Sequence, residues 1–220
     1  MQGSFLCRFT GSNIGLKVLM ALTGIVLSLF VLAHVSGNLL MFAGEAKMNG
    51  YAHMLKASAM VLWGARSVLL ASVLLHVYSA IKLYKRRGDA RPVGYGLKQP
   101  HGSTYAARTM IWSGPILALF IVYHLLHFTV GAAHPKFDEH NAYQNVVVGF
   151  SSIPVVAAYL IAMACLCLHL SHGVWSLMQT IGINRPNWEC ALRKVAIGYA
   201  VIICAGFVSI PLGVLFHIVK

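Results

Sequence analysis

The sequence predicts an all-α integral membrane protein with five transmembrane helices, and three observations predict it. Hydrophobic residues make up 58% of the 220-residue chain and charged residues only 10%, with a mean hydropathy of +0.73. That is too apolar for an ordinary water-soluble domain. Five runs are long enough to cross a hydrocarbon core, which takes roughly 20 residues at about 1.5 Å rise each. Basic residues gather in alternate connections between those runs, the pattern that orients membrane helices.

The runs lie near residues 17 to 42, 59 to 84, 108 to 131, 153 to 181 and 194 to 218. A lipid-facing backbone satisfies its own hydrogen bonds in a helix, so each run is read as one. The first follows Arg8 and Lys17; it has no small-residue cleavage site after a short apolar core, so it is expected to be retained as a span. After the second comes a connection with Lys82, Lys85, Arg86, Arg87, Arg91, Lys98 and Arg108, and after the fourth come Arg185, Arg193 and Lys194. The other side carries Lys47, Lys56, Lys136 and Lys220, diluted by Glu45, Asp138 and Glu139. The N-terminus is therefore expected to be cytoplasmic and the C-terminus outside. Pro115, Pro154 and Pro211 kink or cap helices without splitting a span. No repeat or break in composition divides the chain, which reads as one domain over residues 1 to 220.

The formal net charge of +12 is read as membrane topology rather than nucleic-acid binding, given where the charges fall. The 82 to 108 connection, rich in glycine and basic residues, reads as a docking surface for a cytoplasmic partner or for anionic headgroups. Cys165 and Cys167 are two apart on a helix and point to different faces, and no Cys-x-x-Cys-His run is present. Neither a disulfide framework nor covalent haem is indicated.

Histidine is the informative residue. Ionisable or metal-binding side chains at membrane depth are costly, so a functional role is the first hypothesis. The first four spans each hold one or two: His34, His76, His124 with His127, and His169 with His172. His34 and His124 come late in outward-running helices, and His76 and His169 late in inward-running ones. Two layers of two histidines follow. A b-type haem held between helices needs one neutral imidazole above its ring and one below, and the sequence supplies two such pairs.

Small and polar residues share the histidine faces at about 100° per residue: Thr23 and Asn38 with His34, Ala65, Ser72 and Ala80 with His76, Ser113 and Gly131 with His124, and Ala158, Ala162, Gly173 and Ser176 with His169. The same residues also suit plain helix packing. A single intramembrane histidine serves equally well as an interhelical hydrogen-bonding group; four helices with depth-matched pairs favour metal ligation. His127 and His172, three residues on, are alternative ligands or pocket-lining residues. His53, His101, His134 and His140 read as loop residues, and His217 near the chain end has no partner layer.

At this point the chain resembles the membrane anchor subunit of succinate:quinone oxidoreductases, of the five-helix, dihaem cytochrome b558 type. The strings that carry the resemblance include GSNIGLKVLMALTG, LAHVSGNLL, YAHML, LLHVYSAIKL, RPVGY, GSTYAARTMIWSG, YHLLHF and HLSHGVWSLMQTIGI. It implies haem axial ligands at His34, His76, His124 and His169, selecting the first histidine of each close pair. His76 and His169 would hold a cytoplasmic-side haem, and His34 and His124 an outer one. It further implies a flavoprotein and an iron-sulfur protein as partners, with electrons passing to or from a membrane quinone, commonly menaquinone, in a bacterial cytoplasmic membrane. Lys82 and Arg108 are candidates for contacting the inner haem's propionates by charge, against the stronger alternative of ordinary positive-inside anchoring. Some relatives carry a membrane glutamate two positions before the fourth ligand; here that position is Cys167, so that proton path is not expected.

Two other classes fit parts of the pattern. A cytochrome b subunit of a hydrogenase or formate dehydrogenase also places haems between helices, but couples to partners on the outer side, against the basic 82 to 108 connection. A transporter relaying protons through histidines would need charged partners inside the helices, and Arg66 near an end of the second span is the only charged side chain there. The chain has no dinucleotide-binding glycine fingerprint and no cysteine cluster for iron and sulfur, so succinate chemistry is not expected of it alone.

Overall fold

The computed structural model describes residues 9–90, 104–183 and 185–220, and every regular element among them is a helix. Five helices are long and apolar enough to span a membrane: α1 (Asn13–Asn38), continued by a 3-10 turn Leu39–Ala43, α3 (Ala59–Asp89), α4 (Tyr105–Leu125), α6 (Ile153–Thr180) and α7 (Glu189–Leu215). Two shorter helices, α2 (Glu45–Lys56) and α5 (Ala142–Gly149), fill the connections at one end. The chain is a multi-pass membrane protein.

The helix starts follow ordinary capping chemistry. The side chains of Ser12, Ser58 and Thr104 accept hydrogen bonds from backbone N–H groups in the first turns of α1, α3 and α4, satisfying donors that a helix leaves free. Pro154 stands in the first turn of α6, where its missing N–H costs nothing. Pro115 and Pro211 lie inside α4 and α7 without ending them. α4 closes in a π-turn, Leu126–Val130, an irregularity found preferentially at functional sites.

The burial pattern is the reverse of a water-soluble bundle. On α3 the buried residues are Ser72 and Ser79, and on α4 Ser113, while Leu70, Leu74, Trp112 and Leu119 point outward. Apolar side chains facing out and small polar ones facing in are what a lipid solvent selects. α6 lies along α7, α1 along α3, and α4 along α6, with α1 also touching α6 and α7. The pairs α1 with α4 and α3 with α6 are not among those in close contact.

The two ends differ. At the end where α1 begins, Lys82, Lys85, Arg86 and Arg87 lie on the last turns of α3, which runs five residues past its expected limit. Arg86 reaches Asn13 Oδ1 and the Gly11 carbonyl, both at 2.9 Å. Those arginines and lysines thus project from a helix rather than a loop. Arg8, Arg91, Lys98, His101 and the RPVGY string lie outside the described residues.

At the opposite end α2 and α5 form a cap within the stretches expected to be plain connections. Asn49 bonds Asn141 and the Tyr143 N–H, Asn141 bonds Glu45, and Tyr143 Oη donates to the Lys220 carbonyl at 2.9 Å. Beneath them Met41, Met48, Tyr143, Val146, Phe150, Val156, Tyr159, Ile210 and Val214 make one apolar core.

Candidate functional site

The structure brings the four histidines into two pairs. His34 on α1 and His124 on α4 stand near the capped end, with ring centroids 5.8 Å apart and planes at 84°. His76 on α3 and His169 on α6 form the second pair, 6.2 Å apart at 51°. Each pair joins two helices whose backbones are not in close contact, so the imidazoles occupy the gaps of the bundle. Thr23 on α1 meets His76, so the layers are separated by the Thr23-to-His34 stretch, roughly 16 Å at about 1.5 Å per residue. α6 gives a similar figure, since Tyr159 meets His124 ten residues before His169, roughly 15 Å away.

A metal ion with an imidazole nitrogen at about 2 Å on either side holds the two ring centroids about 6 Å apart. Both pairs match that spacing. Among the described residues no group of three or more His, Cys, Asp or Glu side chains converges. A structural zinc site takes four protein ligands, whereas a haem macrocycle supplies the equatorial donors and asks only two axial ligands of the protein. The surroundings fit such a group: the buried Nδ1 of His169 has no hydrogen-bond partner, and open space lies beside Gly173, one turn further along α6. Against His76 the chain places Gly24, where a Cβ would already be in van der Waals contact at 3.6 Å from the ring.

The neighbours of each pair differ from those expected. Thr23, assigned by periodicity to the His34 face, puts its Oγ1 3.1 Å from His76 Nδ1, and is itself 2.8 Å from the Leu19 carbonyl. His34 keeps Asn38, whose amide lies 3.3 Å from Nδ1 and donates to the His34 carbonyl at 2.7 Å. Phe30 stacks on His34 at 5.2 Å and Phe120 on His124 at 5.8 Å. Gly131 does not line the His124 face. It is the left-handed residue (φ 83°) that ends the π-turn, and Phe137 fills the place of a Cβ, so only glycine fits there.

Of the alternative ligands, His127 faces Tyr159 and His134. It is fully buried, stacks on Tyr123 at 5.4 Å and lies 5.1 Å from His134. His172 is half-buried with its Nδ1 unpartnered. His134, read from the sequence as a loop residue without a role, is buried in the cap and bonds the Asn145 carbonyl at 2.9 Å. His140 is exposed beside Glu139, and His53 and His217 are exposed. Tyr159 is the contact that sequence reasoning missed: its hydroxyl lies 3.3 Å from His124 Nδ1 and 3.0 Å from His127 Nδ1. Its place ten residues before His169, nearly three turns of helix, was the available signal.

Lys82 and Arg108 are exposed. The Lys82 ammonium sits 5.6 Å from the Tyr78 ring and the Arg108 guanidinium 6.0 Å from the Tyr105 ring, aromatic neighbours on their own helices. Cys167 packs toward α7, against the cluster of Val35, Leu170, Ala200 and Ile203.

Five apolar spans with histidine pairs in the gaps between them define a polytopic membrane protein. A family model for the succinate dehydrogenase/fumarate reductase transmembrane subunit matches residues 93–210, more than half of the chain, and the chain belongs to that family. The matched stretch contains His124, Tyr159 and His169, while His34 and His76 precede it. No curated protein and no solved structure matched the chain.

Proposed function

We propose that this membrane subunit is a dihaem cytochrome b anchor that passes electrons between the iron-sulfur subunit of a succinate dehydrogenase or fumarate reductase and a membrane quinone, with menaquinone the expected species. The observation that carries the reading is the pair of imidazole pairs at 5.8 and 6.2 Å, each bridging helices that are not among the closely packed ones. His76 and His169 would hold one haem b through their imidazoles and His34 and His124 the other. Bound there, haem supplies reversible one-electron chemistry at iron.

The chain's own residues do the rest. Thr23 orients the His76 ring, Tyr159 the His124 ring, and the aromatic rings of Phe30 and Phe120 keep water from the second pair. All five acidic residues lie at helix ends or in connections, which leaves the spans without the acidic partners a histidine-based proton transporter uses. The basic end would face the cytoplasm of a bacterium and dock the iron-sulfur subunit and its flavoprotein partner, with anionic lipid around it. Lys82 and Arg108, stacked on aromatic residues of that end, suit interfacial anchoring.

The test is a set of reduced-minus-oxidised spectra of purified wild type, His34→Ala, His76→Ala, His124→Ala and His169→Ala. His76→Ala and His169→Ala are expected to lose one haem component, and His34→Ala and His124→Ala the other. A wild type that folds without haem would overturn the reading.

A further inference from the structure

The pair at the capped end is tied to a buried chain of hydrogen bonds that the other pair lacks. Tyr159 is 6% exposed, and its hydroxyl lies between His124 Nδ1 and His127 Nδ1 at 3.3 and 3.0 Å. If His124 holds a metal through Nε2, its neutral ring carries hydrogen on Nδ1 and donates it to Tyr159 Oη. The tyrosine O–H is then left to donate to His127 Nδ1, and His127 must carry its own hydrogen on Nε2. That Nε2 is buried with no hydrogen-bond partner. His134, the nearest imidazole, cannot take it: one of its nitrogens is engaged by the Asn145 carbonyl at 2.9 Å and the other by the Lys136 N–H at 3.1 Å. At the inner pair, by contrast, Thr23 is anchored to the carbonyls of its own helix, and the chain of bonds stops there.

We infer that Tyr159 is a positioning residue for the outer haem ligand, which links His124 to the buried imidazole of His127 and sets the potential of the outer iron separately from the inner one. The inference rests on the proposed haem ligation. An acceptor on the free N–H of a ligating imidazole makes that ligand more basic, which favours the oxidised iron. Without it the outer midpoint potential rises.

The experiment is a redox titration, followed by visible and EPR spectra, of the purified complex carrying wild type, Tyr159→Phe or His127→Phe. Tyr159→Phe is expected to keep both haems, raise the outer potential and leave the inner one unchanged. His127→Phe, which leaves the tyrosine in place but removes its acceptor, is expected to shift the outer potential in the same direction by less. Two bound haems with unchanged potentials in Tyr159→Phe, or equal shifts of both, overturns the inference while leaving haem ligation intact. Should Tyr159→Phe lose the outer haem, His127→Phe decides: a rise at the outer site supports the link, and an unchanged potential removes it. Absence of haem from the wild type overturns the underlying ligation instead.

Discussion

The two histidine layers are built from the same helix geometry but sit in different surroundings. The pair proposed as the inner one, His76 and His169, is bordered by Thr23 and Gly24 and lies toward the basic end, while the pair proposed as the outer one, His34 and His124, is stacked by Phe30 and Phe120, bonded to Tyr159 and roofed by α2 and α5. On the proposed ligation both layers would offer the same ligand type, so a difference in redox behaviour would come from hydrogen bonding, burial and nearby charge. The inner site is expected to respond to changes in α1 near Thr23 and to the basic end. The outer one should respond to the cap and to Tyr159.

Substitutions can break that contrast one end at a time. Asn145→Ala carries the largest expected effect on stability. The buried Asn145 side chain accepts from the Asp138 N–H at 2.9 Å and donates to the Asp138 carbonyl at 2.6 Å, so truncation leaves backbone groups unpaired and costs about 1–3 kcal/mol. Thermal unfolding in detergent is expected to show that loss, with the outer spectral component disappearing at a lower temperature than the inner. Thr23→Val keeps the shape of the side chain while removing the hydroxyl 3.1 Å from His76 Nδ1, at about 1 kcal/mol. Here potentiometry should find the inner potential raised and the outer unmoved; a shift at the outer site would mean the layers are not independent. The smallest effect is expected for Arg193→Ala, which loses an i, i+4 ion pair with Glu189 at 2.8 Å and a guanidinium 4.7 Å from the Trp175 ring. It should lower stability by no more than about 1 kcal/mol and leave both haem spectra as they were.

Much of this arrangement was legible in the sequence, for reasons that also explain what was not. Apolar length located the five spans, and alternating direction with position along each span put His34 level with His124 and His76 level with His169. Helical periodicity could not say which layer a residue serves. Thr23 and His34 are eleven residues apart, close to three full turns, so they share one face of α1 while standing roughly 16 Å apart in depth. One face thus serves both layers, and only the packing of α3 against α1 reveals that Thr23 belongs to His76. The caps were hidden for a different reason. α2 and α5 are too short to read as spans and fall in the connections, and side-chain bonds across distant segments, such as Asn49 with Asn141, hold them together. Tyr159 stayed hidden because a tyrosine in an apolar span reads as packing until its neighbours on α4 are known.

The account's central claim, that the paired imidazoles hold haem, is tested most directly by the haem-to-polypeptide ratio of the wild-type subunit purified in detergent. It predicts two b-type haems per chain, each with the low-spin EPR signature of two axial histidines. A well-folded subunit with no haem, or with a single one, would contradict it.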